Sequence, residues 1–253
     1  MLKYPNSSNI NPQRDFIAPN LSVIIPTLNE ENFLRRTIKH LFVNASHIEK
    51  LEILVIDAGS SDKTVASVQD LPVQVFVEPT FKLQKHESLN FGIKKSRGEI
   101  LVFLDADTLV PKHFDSLILD IMKKKHSVGG AFEMNFVEPD LKLSLLSKLN
   151  AVRYRIWKTF YGDQAIFCKR EVAIAVGGFS NTLMEAAYFC RSMKKQGNLC
   201  LINQPVETSA RRFNKEGFWK VLWFDVKIWI RFILGRSLKN KAKDYWKIHP
   251  ENG

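Results

Sequence analysis

The chain has 253 residues, 45% of them hydrophobic and 25% charged, a composition that excludes both a disordered and a fibrous protein. Lys and Arg outnumber Asp and Glu by 37 to 26, and +8 of the formal +11 falls between Arg211 and Pro250. A basic tail of this kind calls for an anionic partner: a phosphate-bearing ligand, nucleic acid or a membrane surface. Cys168, Cys190 and Cys200 are widely spaced and form no Cys-x-x-Cys, which argues against a disulfide framework or structural zinc and for a reducing compartment. No run of about 18 apolar residues spans a membrane, and the polar N-terminus has no signal-peptide core, so the reading is cytoplasmic.

Residues 1–20 read as a polar leader rich in Asn, Ser and Pro. LSVIIPT is then a buried strand by its β-branched content, followed by a helix with apolar residues at helical spacing. Further strands are expected at 51–58, 73–79 and 99–107, with helices at 86–95 and about 111–125. This alternation implies an α/β fold with a mostly parallel central sheet flanked by helices. Past Gly130 the spacing predicts a strand at 131–136, a long amphipathic helix at 140–161, a Gly-Gly turn at 177–178, a helix at 184–195 and a strand at 199–205.

In open parallel sheets, ligands bind beyond the carboxyl ends of the strands. Three strand ends carry polar groups: Pro26-Thr27-Leu28-Asn29-Glu30, the run from Asp57 to Asp62, and Asp105-Ala106-Asp107. Asp-x-Asp on such a turn holds a divalent ion and leaves positions for phosphate oxygens, or else simply caps the following helix. Asp57 either accepts hydrogen bonds from a base or ribose or, with Asp62, shapes its turn. The chain has no Gly-x-Gly, no G-x-x-x-x-G-K and no G-x-S-x-G, which removes the dinucleotide fingerprint, the P-loop and the hydrolase elbow.

SVIIPTLNE, VIDAGSSDKT and LVFLDADT, in that order and spacing, resemble the family 2 glycosyltransferases of the GT-A fold over residues 21–213. Gly162-Asp163-Gln164 and the run from Thr208 to Phe213 further resemble a bacterial subgroup labelled selenium-domain-associated transferases. The resemblance implies transfer of a sugar from a nucleotide-sugar donor, UDP-sugar before GDP-sugar, to an unknown acceptor hydroxyl, with inversion. It implies a nucleoside pocket lined by Pro26, Thr27 and Glu30, with Asp57 facing the base. Lys85 would lie near the phosphates, supported by Asn90 and Gly92. Asp105 would touch ribose or sugar and share Mg²⁺ or Mn²⁺ with Asp107, and Arg211 and Arg212 would neutralise the diphosphate or orient the acceptor.

One departure stands out. Where the family has Glu-Asp after its Gly-Gly-Phe turn, with Asp as the base, this chain has Glu185-Ala186. Glu185 or Asp163 then takes the proton; otherwise the protein is a non-catalytic nucleotide-sugar or lipid-phosphate binder. Residues 214–253 read as a basic, Trp-rich helical appendage holding four of the five Trp. That composition suits the interface of an anionic membrane, peripheral on its inner face and near a lipid-linked acceptor. The competing reading packs the helix on the core or on a second subunit, which leaves a homodimer open. No nucleic-acid partner is expected, because the basic residues share one presumed helix with Trp and Phe.

Overall fold

The computed structural model describes residues 19–137, 140–157, 159–236 and 238. Most of the leader and nearly all of the tail after 236 lie outside the described residues. Seven strands form one sheet: β1 (Leu21–Thr27), β2 (Leu51–Asp57), β3 (Gln74–Val77), β4 (Ile100–Phe103), β5 (Gly129–Phe136), β6 (Ile166–Lys169) and β7 (Leu199–Thr208). Among the described residues eight α-helices accompany them: α1 (Leu34–Asn44), α2 (Lys85–Lys95), α3 (Phe114–Lys125), α4 (Leu141–Trp157), α5 (Arg170–Ala175), α6 (Glu185–Met193), α7 (Arg211–Glu216) and α8 (Phe218–Ile233).

The strand order is β3-β2-β1-β4-β6-β5-β7. Only β6 runs against its neighbours, pairing antiparallel with β4 and β5. The sheet is therefore mostly parallel, and its central strands are continuous apolar runs because both faces are covered. Side chains alternate between two cores, as a period of two requires. Val23, Ile25, Ile53, Val55 and Val102 pack beneath α1 and α3, whereas Ile24, Leu54, Ile56, Leu101 and Phe103 pack beneath α2 and α6. Helix α1 buries Leu34, Thr37, Ile38 and Leu41, the i, i+3, i+4, i+7 face of an amphipathic helix. Helix α2 approaches β1 so closely that a Cβ on Gly92 would stand 2.3 Å from Ile24 Cγ2.

Register places the motifs side by side. Thr27 pairs with Asp57 at the carboxyl ends of β1 and β2, and Ile24 pairs with Phe103 on β4. The strand expected over 99–107 stops at Phe103: Leu104 N–H donates to Ile24 O at 3.0 Å, and Thr108 N–H closes a turn onto Asp105 O at 3.1 Å. Asp105 and Asp107 thus stand on a turn beyond the sheet. The last strand runs past Pro205 to Thr208, because that proline follows a register shift opposite Phe132 and Glu133. The long helix is shorter than expected, and its row of leucines faces away from the core. The basic helix α8 buries Val221, Ile228 and Phe232, the last two in a small third cluster with Leu183, Ala187 and Leu238.

Candidate active site

The loops after β1 and β2 are stitched together before any ligand is considered. Asn29, in the left-handed region at φ 56°, accepts from Ser61 N at 2.9 Å, and its own N–H donates to Ser60 Oγ at 2.8 Å. Asp62 accepts from Thr64 N at 2.9 Å and Glu31 N at 3.2 Å, so it shapes the turn. Asp57 is wholly buried (0% exposed) and accepts from Gly59 N, Ser60 N and Ser60 Oγ at 2.5–3.0 Å. Its carboxylate braces this loop from below and does not line the cleft.

Beside these loops opens a cavity of about 580 Å³. Its walls include Pro26, Thr27 and Glu30 from the first motif, Lys85 from α2, and Asp105 and Asp107 from the third motif. Asp163, Glu185, Arg211 and Arg212 complete it. Ten of the thirteen residues given a site role in the sequence are therefore brought together; Asp57, Asn90 and Gly92 stand outside the lining. Asn90 holds the turn after α5 instead, donating from Nδ2 to Phe179 O at 2.8 Å and accepting from Phe179 N at 2.7 Å. Gly178 in that turn has φ +70°, and a Cβ there would meet Asn90 Oδ1 at 2.2 Å, so glycine is required.

The electrostatics centre on two cations among carboxylates. Lys85 Nζ donates to Asp105 Oδ1 at 2.7 Å. Burial alone would lower the Lys85 pKa, but Asp105, Glu185 and Asp107 outweigh it and hold the ammonium charged. Arg211 grips Glu30 with two hydrogen bonds and reaches Asp107 Oδ2 from Nε at 3.4 Å. Burial pushes Asp107 up to about 6; Arg211 opposes the shift, and Asp105 and Glu30 add to it. Arg212 turns the other way, donating to Asp225 Oδ1 at 3.1 Å and so tying α7 to α8.

Asp163 sits in a single 3-10 turn, Gly162–Gln164, that leans on the Lys85–Asp105 pair: a Cβ on Gly162 would stand 3.5 Å from Asp105 Oδ2. Burial, reinforced by Asp105, pushes Asp163 up to about 7 against the pull of Arg153 and Lys85. Its Oδ1 is buried with no hydrogen-bond partner among the described residues. Glu185 opens α6 after Met184, which adopts a left-handed φ of 66°. Burial raises the Glu185 pKa and Lys85 opposes it. Ala186 lies outside the cleft lining: it is 5% exposed and belongs to the apolar cluster that includes Phe103, Phe179 and Phe189. Glu185, not position 186, faces the cleft.

Among the described residues no three His, Cys, Asp or Glu side chains cluster as a metal cage. Asp105 and Asp107, which here pair with Lys85 and Arg211, are the two carboxylates that could share a hard divalent ion with phosphate and water oxygens. Sequence reasoning missed Asn150 and Arg153, which reach the cleft from α4. Their spacing of three on one helix face was the available signal. Arg153 lies 4.3 Å from the Tyr161 ring centroid and hydrogen-bonds its hydroxyl.

An α/β sheet with a carboxylate-rich cleft beyond the ends of β1 and β4 defines a GT-A-like protein. TarS from S. aureus, solved with UDP-GlcNAc, superposes with a TM-score of 0.62 at 18% identity, covering 75% of this chain and 58% of that one. The mannosyltransferase PcManGT from Pyrobaculum calidifontis, solved with GDP-Man and Mn²⁺, gives 0.58 at 24% identity over 75% and 56% of the two chains. The chain belongs to glycosyl transferase family 2, whose family model matches residues 22–188. A GalNAc(5)-diNAcBac-PP-undecaprenol beta-1,3-glucosyltransferase of Campylobacter jejuni is 35% identical over 180 residues, 58% of each chain. An uncharacterized glycosyltransferase of Haemophilus influenzae is 30% identical over 115 residues, 44% of this chain and 45% of its own. The chain thus spans about half the length of these two curated relatives.

Proposed function

We propose that the protein transfers a sugar from a nucleotide-sugar donor, a UDP-sugar, to the hydroxyl of a lipid-linked acceptor, with inversion at the anomeric carbon. The observation that carries this reading is the convergence of Asp105, Asp107, Asp163 and Glu185 with Lys85 and Arg211 on one cleft at the strand ends. The nucleoside lies against Pro26 and Thr27, over the loop that Asp57 braces. Asp105 and Asp107 would hold Mg²⁺ or Mn²⁺, which when bound would offset negative charge on the leaving group. Lys85 and Arg211 bring positive charge to the same oxygens. A carboxylate, Glu185 in this reading, accepts the acceptor's hydroxyl proton as oxygen bonds to the anomeric carbon and the bond to the diphosphate breaks. Attack from the face opposite the leaving group inverts the centre.

The lipid-linked acceptor is carried over from the Campylobacter relative's name, and the UDP-sugar from the TarS complex. Assignment to the selenium-domain-associated subgroup rests on Gly162-Asp163-Gln164 and the run from Thr208 to Phe213. Glu185 lines the cleft and Ala186 does not, which favours turnover over the binding-only reading motivated by Ala186.

Calorimetry with UDP and GDP, with and without Mn²⁺, tests the donor site. UDP should bind only with Mn²⁺, and Asp107→Ala should abolish that binding while Asp62→Ala costs stability alone. Equal metal-dependent affinity in wild type and Asp107→Ala removes the site.

A further inference from the structure

Two helices beside the cleft turn apolar faces outward. On α4, Leu141, Leu145, Leu149, Val152 and Ile156 are 54–88% exposed. Steps of four, four, three and four keep them within an arc of about 80° on the helix. On α8, Trp219, Trp223, Val226, Ile230 and Ile233 are 36–64% exposed and fall on a comparable arc. Single exposed apolar residues are ordinary, but two such rows on helices that line the same cavity are more apolar surface than water favours. Leu149 and Val226 belong both to these rows and to the cleft lining, so both rows run up to its mouth.

Charge borders the rows in the same order on each helix. Going round α4, the cleft-facing Leu146 and Arg153 give way to the apolar row and then to Lys148 and Arg155. Round α8, Leu222 and Trp229 face the cleft, the apolar row follows, and Lys220 and Lys227 lie beyond it. The two helices hold seven basic residues and a single acid, Asp225, which Arg212 binds.

This arrangement selects among occupants. A second copy would bring the same basic edges to the same face, and like charges across a two-fold contact repel. Nucleic acid would satisfy the charge and strand ten apolar side chains in water. An anionic bilayer satisfies both, taking the apolar rows into the headgroup–acyl boundary and the basic edges onto its phosphates. Among the described residues no helix is long and apolar enough to cross a membrane, so contact of this kind stays at the interface. We infer that α4 and α8 are two lips that seat the mouth of the cleft on an anionic bilayer, so that the cleft opens directly onto the lipid surface. That a lipid-linked acceptor enters there rests on the proposed function; the docking itself does not.

The test is sedimentation of the full chain with vesicles of phosphatidylglycerol and phosphatidylcholine, or of phosphatidylcholine alone, with calorimetry of UDP and Mn²⁺ on the same samples. The wild type should pellet with the anionic vesicles at low salt and release as salt rises. Leu145→Ser with Ile156→Ser on one lip, and Trp219→Ser with Ile230→Ser on the other, should each weaken binding at least tenfold. Lys148→Gln and Lys227→Gln should each cost about fivefold, as loss of roughly 1 kcal/mol per basic residue requires. None of these positions lines the cleft, so UDP binding should be unchanged, which separates failure of docking from failure of the donor site. No pelleting by the wild type, or loss confined to one lip, overturns the inference. So does a concentration-dependent dimer that the serine variants dissolve without any vesicle binding.

Discussion

Arg211 holds Glu30 in a two-point grip, Nη1 to Oε2 at 2.7 Å and Nη2 to Oε1 at 2.5 Å. The pair joins the loop after β1 to the helix after β7, closing the cleft between the first and last motifs of the chain. The planar guanidinium also lies 5.1 Å from the Phe33 ring centroid, so its position is fixed from two sides.

Replacing Arg211 by Met leaves the Glu30 carboxylate buried without its partner. A fully buried pair broken in this way loses roughly 3–5 kcal/mol; with Arg211 about a third exposed, about 2 kcal/mol is expected. Urea denaturation should show a lower midpoint at unchanged slope. Adding Glu30→Gln should restore at least half of the loss, because the orphaned charge is then gone. A double variant no better than the single one means that Arg211 stabilises through packing alone.

Asp163 makes stability depend on pH in a specific direction. Its folded pKa of about 7 lies above the ordinary 3.8, so the folded state takes up the proton first. The resulting stability is fully present below about pH 4 and is lost as pH rises through about 7. Asp163→Asn, which mimics the protonated form, should therefore raise Tm at pH 8 and leave it nearly unchanged at pH 4. A variant that loses stability at pH 8 shows that the ionised carboxylate is satisfied where it sits.

Ala186→Asp discriminates between two placements of the family's acidic pair. The Ala186 side chain is buried within the apolar cluster that includes Phe103, Phe179 and Phe189. Burial of a charge there should cost roughly 3 kcal/mol or more and gain no activity. Soluble expression with raised transfer would place position 186 in the cleft.

The strands and their order of use were legible because buried parallel strands write continuous apolar runs, as in LSVIIPT and LEILVID. The Asp105–Asp107 turn was legible too, since only a strand end exposes two carboxylates after so long an apolar run. Other features had no local signature. Asp57 looks like a ligand-facing residue in sequence, yet its hydrogen bonds to Gly59 and Ser60 bury it under its own loop. The row of leucines on α4 has the spacing of a core face and is exposed, because α4 touches the sheet through Leu143 and Tyr154 instead. Periodicity tells which residues share a face; it does not tell what that face meets. The orientation of Glu185 against Ala186 likewise depends on the left-handed turn at Met184, which no side-chain pattern announces.

That turn bears on the last prediction, the choice of base between Glu185 and Asp163. Both carboxylates line the cleft, and burial raises the proton affinity of both, as suits a base. Glu185 has Lys85 among the charges that oppose its rise, which favours the ionised form a base must start from. It also opens α6, where the helix dipole favours negative charge. Asp163 leans on Asp105 and already shares Lys85 with it, so donor phosphates crowding that pair would push its proton affinity higher still. Glu185→Gln should therefore keep Mn²⁺-dependent UDP affinity within about twofold while losing transfer by ~10²–10⁴-fold, the usual cost of removing a general base. Asp163→Asn should lose transfer by less than tenfold, as expected of a neighbour that tunes the field without taking the proton. The opposite ranking, with Glu185→Gln near wild type and Asp163→Asn silent, assigns the proton to Asp163, and the acid limb of the rate profile should then fall near pH 7.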